Sequence, residues 1–266
     1  MFVGNMVTEA IPARVFALYR IVETKKRISR GELQNLVEPP GIYKGLSSYF
    51  SAVLKTGEEL KLLEYKDNVV SLVDEKKQLK TIDDFREYVI SILPDLKDGQ
   101  FWKCSNVIVN MNDKIFEYKS IADSEMLNYL SDQVGETIKA PMIRGWRFWS
   151  QFLGFGVMKD KDMAFLPNAY VYVKNVIGLM GLEKKQEYSM SDFMTRFIQY
   201  GQILLQSTTS NRNLNIAMSS ALRELHDNGE IVLKFGSDQE MKWILYPSKE
   251  LFNQPVSSVV YKGVKS

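Results

Sequence analysis

The sequence predicts an α+β protein that is mainly helical and contains short antiparallel β-hairpins. Segments with the apolar spacing of helices fill most of the chain, and three times such segments are followed by two strand-like runs around a polar turn. The 266 residues include 45% hydrophobic and 25% charged residues, the balance of an ordinary globular protein. We therefore expect several small helical units, each closed by a hairpin.

The first third of the chain shows the order of the helices most clearly. Residues 11–24 have helical spacing, and Ser29 begins a short helix with Glu32 three positions later, as in a capping box. The run Pro39-Pro40-Gly41 ends this helix, and residues 42–56 resume the helical spacing. Three successive helices are predicted.

A hairpin is predicted directly after these helices. Residues 60–65 and 69–73 are strand-like, and Lys66-Asp67-Asn68 between them has the chemistry of a tight turn. Three helices followed by a hairpin is the order of a winged helix-turn-helix.

The middle of the chain repeats this order. Helices are predicted at residues 82–93, 123–134 and 140–153. The runs at residues 154–158 and 163–166 then predict a hairpin with a charged turn at residues 159–162.

The last third repeats the order again. Helices are predicted at residues 190–206 and 214–228, and a hairpin of residues 231–235 and 241–246 around Gly236-Ser237-Asp238. We thus predict tandem winged helix-turn-helix units at residues 1–78, 79–183 and 184–250, followed by a loosely held C-terminal tail at residues 251–266.

Composition excludes several classes of site. Cys104 and His226 are the only cysteine and histidine, so a zinc finger and a catalytic triad not built on His226 are excluded. The chain has neither a Walker loop nor a complete dinucleotide-binding glycine motif, and we expect no cofactor. No apolar run approaches the roughly 18 residues that span a bilayer, and the start lacks a signal peptide, so we expect a cytoplasmic protein.

The net charge of +2 and the pI near 8.4 are less basic than is usual for a protein that coats nucleic acid. Any contact with DNA must therefore come from local patches. In helix-turn-helix proteins the second helix of the pair enters the major groove. On this basis the predicted DNA contacts of the first unit are Lys44, Ser47, Ser48, Ser51 and Lys55 on the helix, beside Tyr43, and Lys66 and Asn68 at the hairpin tip. The alternative is a solvated helix face in a protein–protein module.

The other two units offer fewer candidates. Arg144 and Arg147 stand among aromatic residues and could stack on bases, although the aromatic spacing is better explained by a buried core. In the third unit Arg212 and Arg223 could contact DNA. Their polar neighbours are Asn211, Asn213, Asn215 and Ser219. A capped, solvated helix start explains Asn211 and Asn213 as well. We expect His226 to cap a helix end and Cys104 to be buried.

One enzyme class is compatible with the sequence. Asp95, Glu117 and Lys119 match the loose pattern of metal-dependent nucleases, in which two carboxylates hold Mg²⁺ and a lysine orients water. Such nucleases need these residues on adjacent strands, whereas Asp95 follows a predicted helix.

Two short stretches carry a family resemblance. Ile-Pro-Ala-Arg-Val-Phe-Ala-Leu-Tyr-Arg at residues 11–20 and Leu-Gly-Phe-Gly-Val at residues 153–157 resemble bacterial accessory proteins encoded in the gene clusters that place 7-deazapurines in DNA. The resemblance implies a restriction or phage-defence role on DNA without a catalytic centre. It also implies DNA, a helicase and a phospholipase-D-like nuclease as partners.

The sequence thus supports one main hypothesis, a non-catalytic subunit that binds or recruits DNA within such an assembly. The alternative is a winged-helix scaffold that docks only other proteins, and a metal-dependent nuclease is a third.

Overall fold

The computed structural model describes residues 1–42, 48–159, 163–205, 212–236, 242–249 and 252–263. Within these ranges the predicted α+β class with a large helical content is confirmed. The α-helices are α1 (Pro12–Lys25), α2 (Arg30–Val37), α3 (Phe50–Glu59), α4 (Ile82–Ile92), α5 (Gln100–Val109), α6 (Ser124–Val134), α7 (Ala140–Leu153), α8 (Tyr170–Leu179), α9 (Met190–Gly201) and α10 (Ile216–Asp227). Short 3₁₀ helices cover Leu93–Leu96, Asn112–Glu117 and Gln202–Leu204.

The strands form small antiparallel sheets. They are β1 (Arg27–Ser29), β2 (Leu63–Lys66), β3 (Val69–Leu72), β4 (Gly156–Lys159), β5 (Ala164–Pro167), β6 (Glu187–Ser189), β7 (Ile231–Lys234) and β8 (Ser258–Tyr261). The sheet orders are β1-β3-β2, β4-β5 and β6-β8-β7. In the described ranges every pair of neighbouring strands in these sheets is antiparallel, as predicted for the hairpins.

Residues 12–72, called here the N-terminal section, follow the prediction closely at their beginning and end. The Ser29 side chain accepts a hydrogen bond from the Glu32 amide and caps α2, as expected. Strands β2 and β3 meet in a tight hairpin in which Lys66 lies opposite Val69. Asp67 and Asn68 form its turn with φ angles of 51° and 62°, the left-handed conformation that a two-residue turn of this type requires.

The third helix of the N-terminal section is shifted from its predicted place. The prediction began it at Ile42, but α3 begins at Phe50, and Ile42 is exposed in a turn that its amide closes on Pro39. Helix α3 also continues past residue 56, where the predicted helix ends, and the Leu63 side chain occupies the space beside Gly57 inside the helix. The chain leaves α3 at Lys61, with a left-handed φ of 53°.

Residues 170–261, called here the C-terminal section, have the same topology as the N-terminal section. In both, a helix leads to a short strand that ends in a capping serine, then to two helices and two strands, and the last strand lies in the middle of the sheet. Ser189 caps α9 through the Asp192 amide, as Ser29 caps α2. This match of topology is closer than the sequence alone indicated.

The last strand of this section contradicts two predictions. Strand β7 pairs with β8 at Val232 and Val260, and not with residues 242–246, the described part of the predicted partner run 241–246. The tail predicted to be loosely held therefore supplies the buried middle strand of a sheet. The prediction failed because β8 is far along the chain from β7, whereas hairpin rules consider only neighbouring runs. Of the predicted turn, Ser237 and Asp238 lie outside the described residues.

The middle of the molecule is helical and ends in the predicted hairpin, with Lys159 opposite Ala164. The turn at residues 160–162 lies outside the described residues. Trp146 and Trp149 are fully buried, which confirms the core interpretation of these aromatics. The first residues of the chain also join this core, because Phe2 packs edge-on against Trp149 at 4.7 Å between ring centroids.

A membrane-spanning segment was not expected, and no helix in the described ranges has the length and apolar character needed to cross a bilayer.

Candidate nucleic-acid interface

The start of α3 and the tip of the β2–β3 hairpin are held together by Arg30. Its backbone amide donates to the Asn68 carbonyl at 3.0 Å, which ties α2 to the hairpin tip. Its guanidinium donates to the Ser51 hydroxyl at 3.0 Å and lies 5.2 Å from the centroid of the Phe50 ring. One arginine thus joins the helix and the hairpin that sequence analysis had assigned separately to DNA.

The backbone at the start of α3 is fixed by the carboxylate of Glu38. This side chain accepts hydrogen bonds from the amides of Tyr49 and Phe50, at 2.6 and 2.9 Å, and from the Ser48 hydroxyl. Burial acts to raise the pKa of Glu38, but these bonds and one from Gln34 outweigh it and hold the pKa below its ordinary value. A carboxylate here also interacts favourably with the positive end of the helix dipole.

The predicted contacts that the structure describes in this section are exposed. Ser51, Lys55, Lys66 and Asn68 are all exposed. Ser48 is exposed as well, although its hydroxyl donates to Glu38. Tyr43, Lys44 and Ser47 lie outside the described residues. We call Arg30, Ser51, Lys55, Lys66 and Asn68 the N-terminal polar surface.

The N-terminal polar surface is not uniformly basic. Glu58 is exposed on α3, one turn from Lys55, and Glu64 and Asp67 flank Lys66 on the hairpin. Glu64 accepts a hydrogen bond from the Ser71 hydroxyl, on the outer side of the sheet. Arg27 of β1 pairs with Ser71 and lines the same surface pocket as Glu64 and Lys66, so it adjoins Lys66 on this side of the sheet.

The two arginines of the middle region lie on α7, outside this surface. Arg144 is exposed. Arg147 is half-buried, and its guanidinium lies 4.6 Å from the centroid of the Phe148 ring. Contact of Arg144 and Arg147 with DNA stays a prediction. The aromatic ring that Arg147 contacts in the structure belongs to its own helix.

The assignment of Arg223 to a solvent-facing contact is wrong. Only 4% of this residue is exposed. Its guanidinium donates to the carbonyls of Phe252 and Tyr246, at 2.8 and 2.6 Å, and to the Asn253 side chain. Burial lowers the pKa of this arginine, and nearby Asp227 opposes that effect. Arg223 therefore stabilises the fold.

The other polar residues of the predicted third-unit face have structural partners too. The Arg212 carbonyl accepts from the Ile244 amide at 2.9 Å, and the half-buried Arg212 has a left-handed φ of 57°. Asn215 caps α10 by accepting from the Met218 amide, and Ser219 is buried. Asn211 lies outside the described residues.

The nuclease pattern is not assembled on strands in the described ranges. Asp95 lies in a 3₁₀ helix and forms an exposed ion pair with Lys61 at 2.7 Å. Glu117 ends another 3₁₀ helix, and Lys119 follows in the connecting segment. The described residues contain no cluster of three or more histidine, cysteine or acidic side chains suited to a metal.

The lone histidine and cysteine have packing roles in the fold. His226 lies in the last turn of α10, where its Nδ1 accepts from the Leu233 amide and its ring meets the edge of Phe252. Cys104 is buried as expected, and burial raises the pKa of its thiol to about 12. A thiol with so high a pKa is a poor nucleophile.

In the sequence, Arg30 counts with Lys25, Lys26 and Arg27 as a basic residue near the helix that favours nucleic-acid binding, but it was not among the predicted contacts. Its position directly after the capping Ser29 was visible in the sequence. What could not be seen was that β1 pairs with β3, which brings this helix start to the hairpin tip.

Comparison with known proteins agrees with the family resemblance in the sequence. Residues 1–100 match the DpdG-like family model. The matched range includes the whole N-terminal section and α4, and it ends where α5 begins. No curated protein and no solved structure matches the chain.

Proposed function

We propose that the chain is an accessory subunit of a bacterial DNA-modification or phage-defence system, and that its N-terminal section is a winged helix-turn-helix that binds DNA. The DpdG-like match over this section and the resemblance to accessory proteins of 7-deazapurine gene clusters support the setting. In this proposal the chain positions DNA for partner enzymes, such as a helicase or a nuclease, and does not cleave it. It acts in the cytoplasm, where those enzymes meet DNA.

The observation that carries the proposal is the joining of α3 and the hairpin tip by Arg30. In winged helices the second helix of the motif lies in the major groove while the hairpin reaches the neighbouring backbone. Here Arg30 joins the two elements, and Lys55 on the helix and Lys66 on the hairpin are both exposed. These lysines suit phosphate oxygens, and Ser51 and Asn68 suit phosphates or base edges.

The charges predict modest and salt-sensitive binding. Three cations belong to the surface, and Glu58, Glu64 and Asp67 reduce its local charge. Few phosphate contacts mean that only a few counterions are released on binding. We therefore propose that partners supply further affinity, and Arg144 and Arg147 are a candidate second contact.

The test replaces the three cations together. A variant with Arg30→Ala, Lys55→Ala and Lys66→Ala should bind random-sequence duplex DNA at least tenfold more weakly than the parent, because each phosphate contact contributes to affinity. The matched control is Lys184→Ala, Lys185→Ala and Lys262→Ala, which removes the same charge from exposed positions of the C-terminal section. The control should bind within about twofold of the parent.

Equal loss in both variants would show that binding follows net charge and has no defined surface. Unchanged DNA binding in the Arg30, Lys55 and Lys66 variant, together with loss of a partner protein in pull-down, would favour the scaffold alternative.

A further inference from the structure

The C-terminal section contains a helix equivalent to α3, and that helix is covered. Both α3 and α10 end in the same hydrogen-bond pattern, with Leu62 donating to the Gly57 carbonyl and Glu230 donating to the Leu225 carbonyl. Counting back from these matched ends aligns Ser219 with Ser51 and Arg223 with Lys55. The two α3 residues are exposed, whereas both α10 residues are buried.

The cover comes from the connection between β7 and β8. In the N-terminal section the corresponding connection is only the turn at Asp67 and Asn68. In the C-terminal section it spans residues 235–257, and its described parts at residues 242–249 and 252–256 are called here the strap.

The strap forms hydrogen bonds with polar side chains of α10 that would otherwise face solvent. Arg223 donates to the carbonyls of Tyr246 and Phe252 and to the Asn253 side chain. The Tyr246 amide donates to the Ser219 hydroxyl at 2.8 Å. The guanidinium thus meets three acceptor oxygens, the atom type that DNA phosphates would offer it.

Apolar side chains anchor the strap. Trp243 and Leu245 are 7% and 3% exposed. Within the strap, the Trp243 backbone exchanges two hydrogen bonds with Val256, and the strap is joined to the segment before α10 because the Ile244 carbonyl accepts from the Leu214 amide at 2.8 Å. Removing the strap from α10 would expose these groups to water, so the strap belongs to the folded state.

Of the remaining cations of the N-terminal polar surface, Arg30 has no cationic equivalent in the C-terminal section, and the equivalent of Lys66 is exposed but ion-paired. Met190 follows the capping serine where Arg30 follows Ser29. It is fully buried, and its amide donates to the Ser257 carbonyl as the Arg30 amide donates to Asn68. Lys234 ends β7 as Lys66 ends β2, but it is paired with Glu187 at 2.6 Å.

We propose that the strap is an intramolecular occupant of the DNA-binding face of the C-terminal section. It places backbone and side-chain oxygens of the chain where acceptor oxygens of DNA would lie. DNA contact by this pair of sections is therefore confined to the N-terminal polar surface. The statement about DNA rests on the proposed function. The closure of α10 by the strap does not, because it is a property of the fold.

The experiment compares substitutions at the two equivalent positions in the full chain. Arg223→Ala should lower the Tm by about 5 to 10 °C and raise amide hydrogen exchange in residues 242–249, because buried acceptors lose their donor. Its affinity for random-sequence duplex DNA should stay within twofold of the parent. Lys55→Ala should give the opposite pattern, with an unchanged Tm and at least threefold weaker binding.

Arg223→Lys serves as the second variant if Arg223→Ala does not fold, since it keeps the charge and loses the forked hydrogen bonds. The proposal is overturned if either Arg223 variant weakens DNA binding while Tm and exchange in the strap are unchanged. It is also overturned if DNA added to the parent raises exchange in residues 242–249. If Lys55→Ala binds DNA normally while Arg223→Ala still loosens the strap, the proposed DNA surface fails and the closure of α10 stands.

Discussion

Two charged side chains fix the start of α3 from opposite sides. Glu38 accepts the amide protons that the first turn leaves without a helical partner, and Arg30 holds Ser51 and the Asn68 carbonyl. Neither residue was among the predicted contacts, because each acts through a backbone position that only the folded chain brings near. The exposed Ser51 and Lys55 could be predicted, since helical spacing alone places them on the side away from Phe50 and Leu54.

The carboxylate of Glu38 predicts a pH dependence of stability. Its pKa in the folded protein is below the ordinary 4.5, so its contribution is complete above about pH 5 and is lost as the pH falls through the folded value. Glu38→Gln should lower the free energy of unfolding by about 1 to 2 kcal/mol at pH 7, because a charge-assisted hydrogen bond becomes neutral. Urea titrations at pH 7 and pH 3.5 measure this difference, which should shrink at the lower pH. A difference that is equal at both pH values would contradict the role of the ionised carboxylate.

The close packing around Gly145 in α7 predicts that a larger side chain at this position destabilises the protein. A Cβ at this position would lie 2.8 Å from the backbone of Val7, so Gly145→Ala should destabilise the protein by about 1 to 3 kcal/mol despite the better helix propensity of alanine. Gly178 in α8 is the matched control, because a Cβ there meets nothing within 4 Å. Thermal unfolding should give a lower Tm for Gly145→Ala and an equal or higher Tm for Gly178→Ala. Equal values for both variants would mean that residues 1–10 are not packed against α7.

At the scale of elements, the sequence correctly predicted the structures that depend on residues close together in the chain. The capped start of α2, the hairpin of β2 and β3 and the hairpin of β4 and β5 all depend on short-range chemistry, and all are present. The pairing of β8 with β6 and β7 could not be predicted in this way. Its apolar run at residues 256–261 has the composition of a strand, but its partners lie far along the chain.

Because β8 is the middle strand of its sheet, a charge introduced into it should strongly destabilise the protein. Val259 is fully buried, and Val259→Asp should destabilise the protein by about 3 kcal/mol or more, because the carboxylate would have no partner there. Ile244→Asp is the control, since this residue of the strap is 49% exposed. Urea unfolding should separate the two variants clearly. Comparable stability of both would support the original expectation of a loosely held tail.

At the scale of the whole molecule, the buried residues form one hydrophobic cluster that runs from the first residues to β8. The predicted boundaries at residues 78, 183 and 250 remain a prediction. The two sections have the same topology but differ at their third α-helix. Helix α3 is open to solvent, whereas the strap covers α10. The sequence could not reveal this difference, because it depends on where a long connection folds back. Function therefore cannot be assigned equally to both copies of the motif.

The central claim is that a small set of cations on α3 and the adjoining hairpin binds DNA. The salt dependence of binding tests it most directly, because the slope of log affinity against log salt changes by about 0.9 for each phosphate contact. We predict that the Arg30, Lys55 and Lys66 alanine variant has a slope flatter than that of the parent by roughly 2 to 3, whereas the Lys184, Lys185 and Lys262 variant keeps the parent slope. Parallel slopes for the parent and the first variant would contradict the claim.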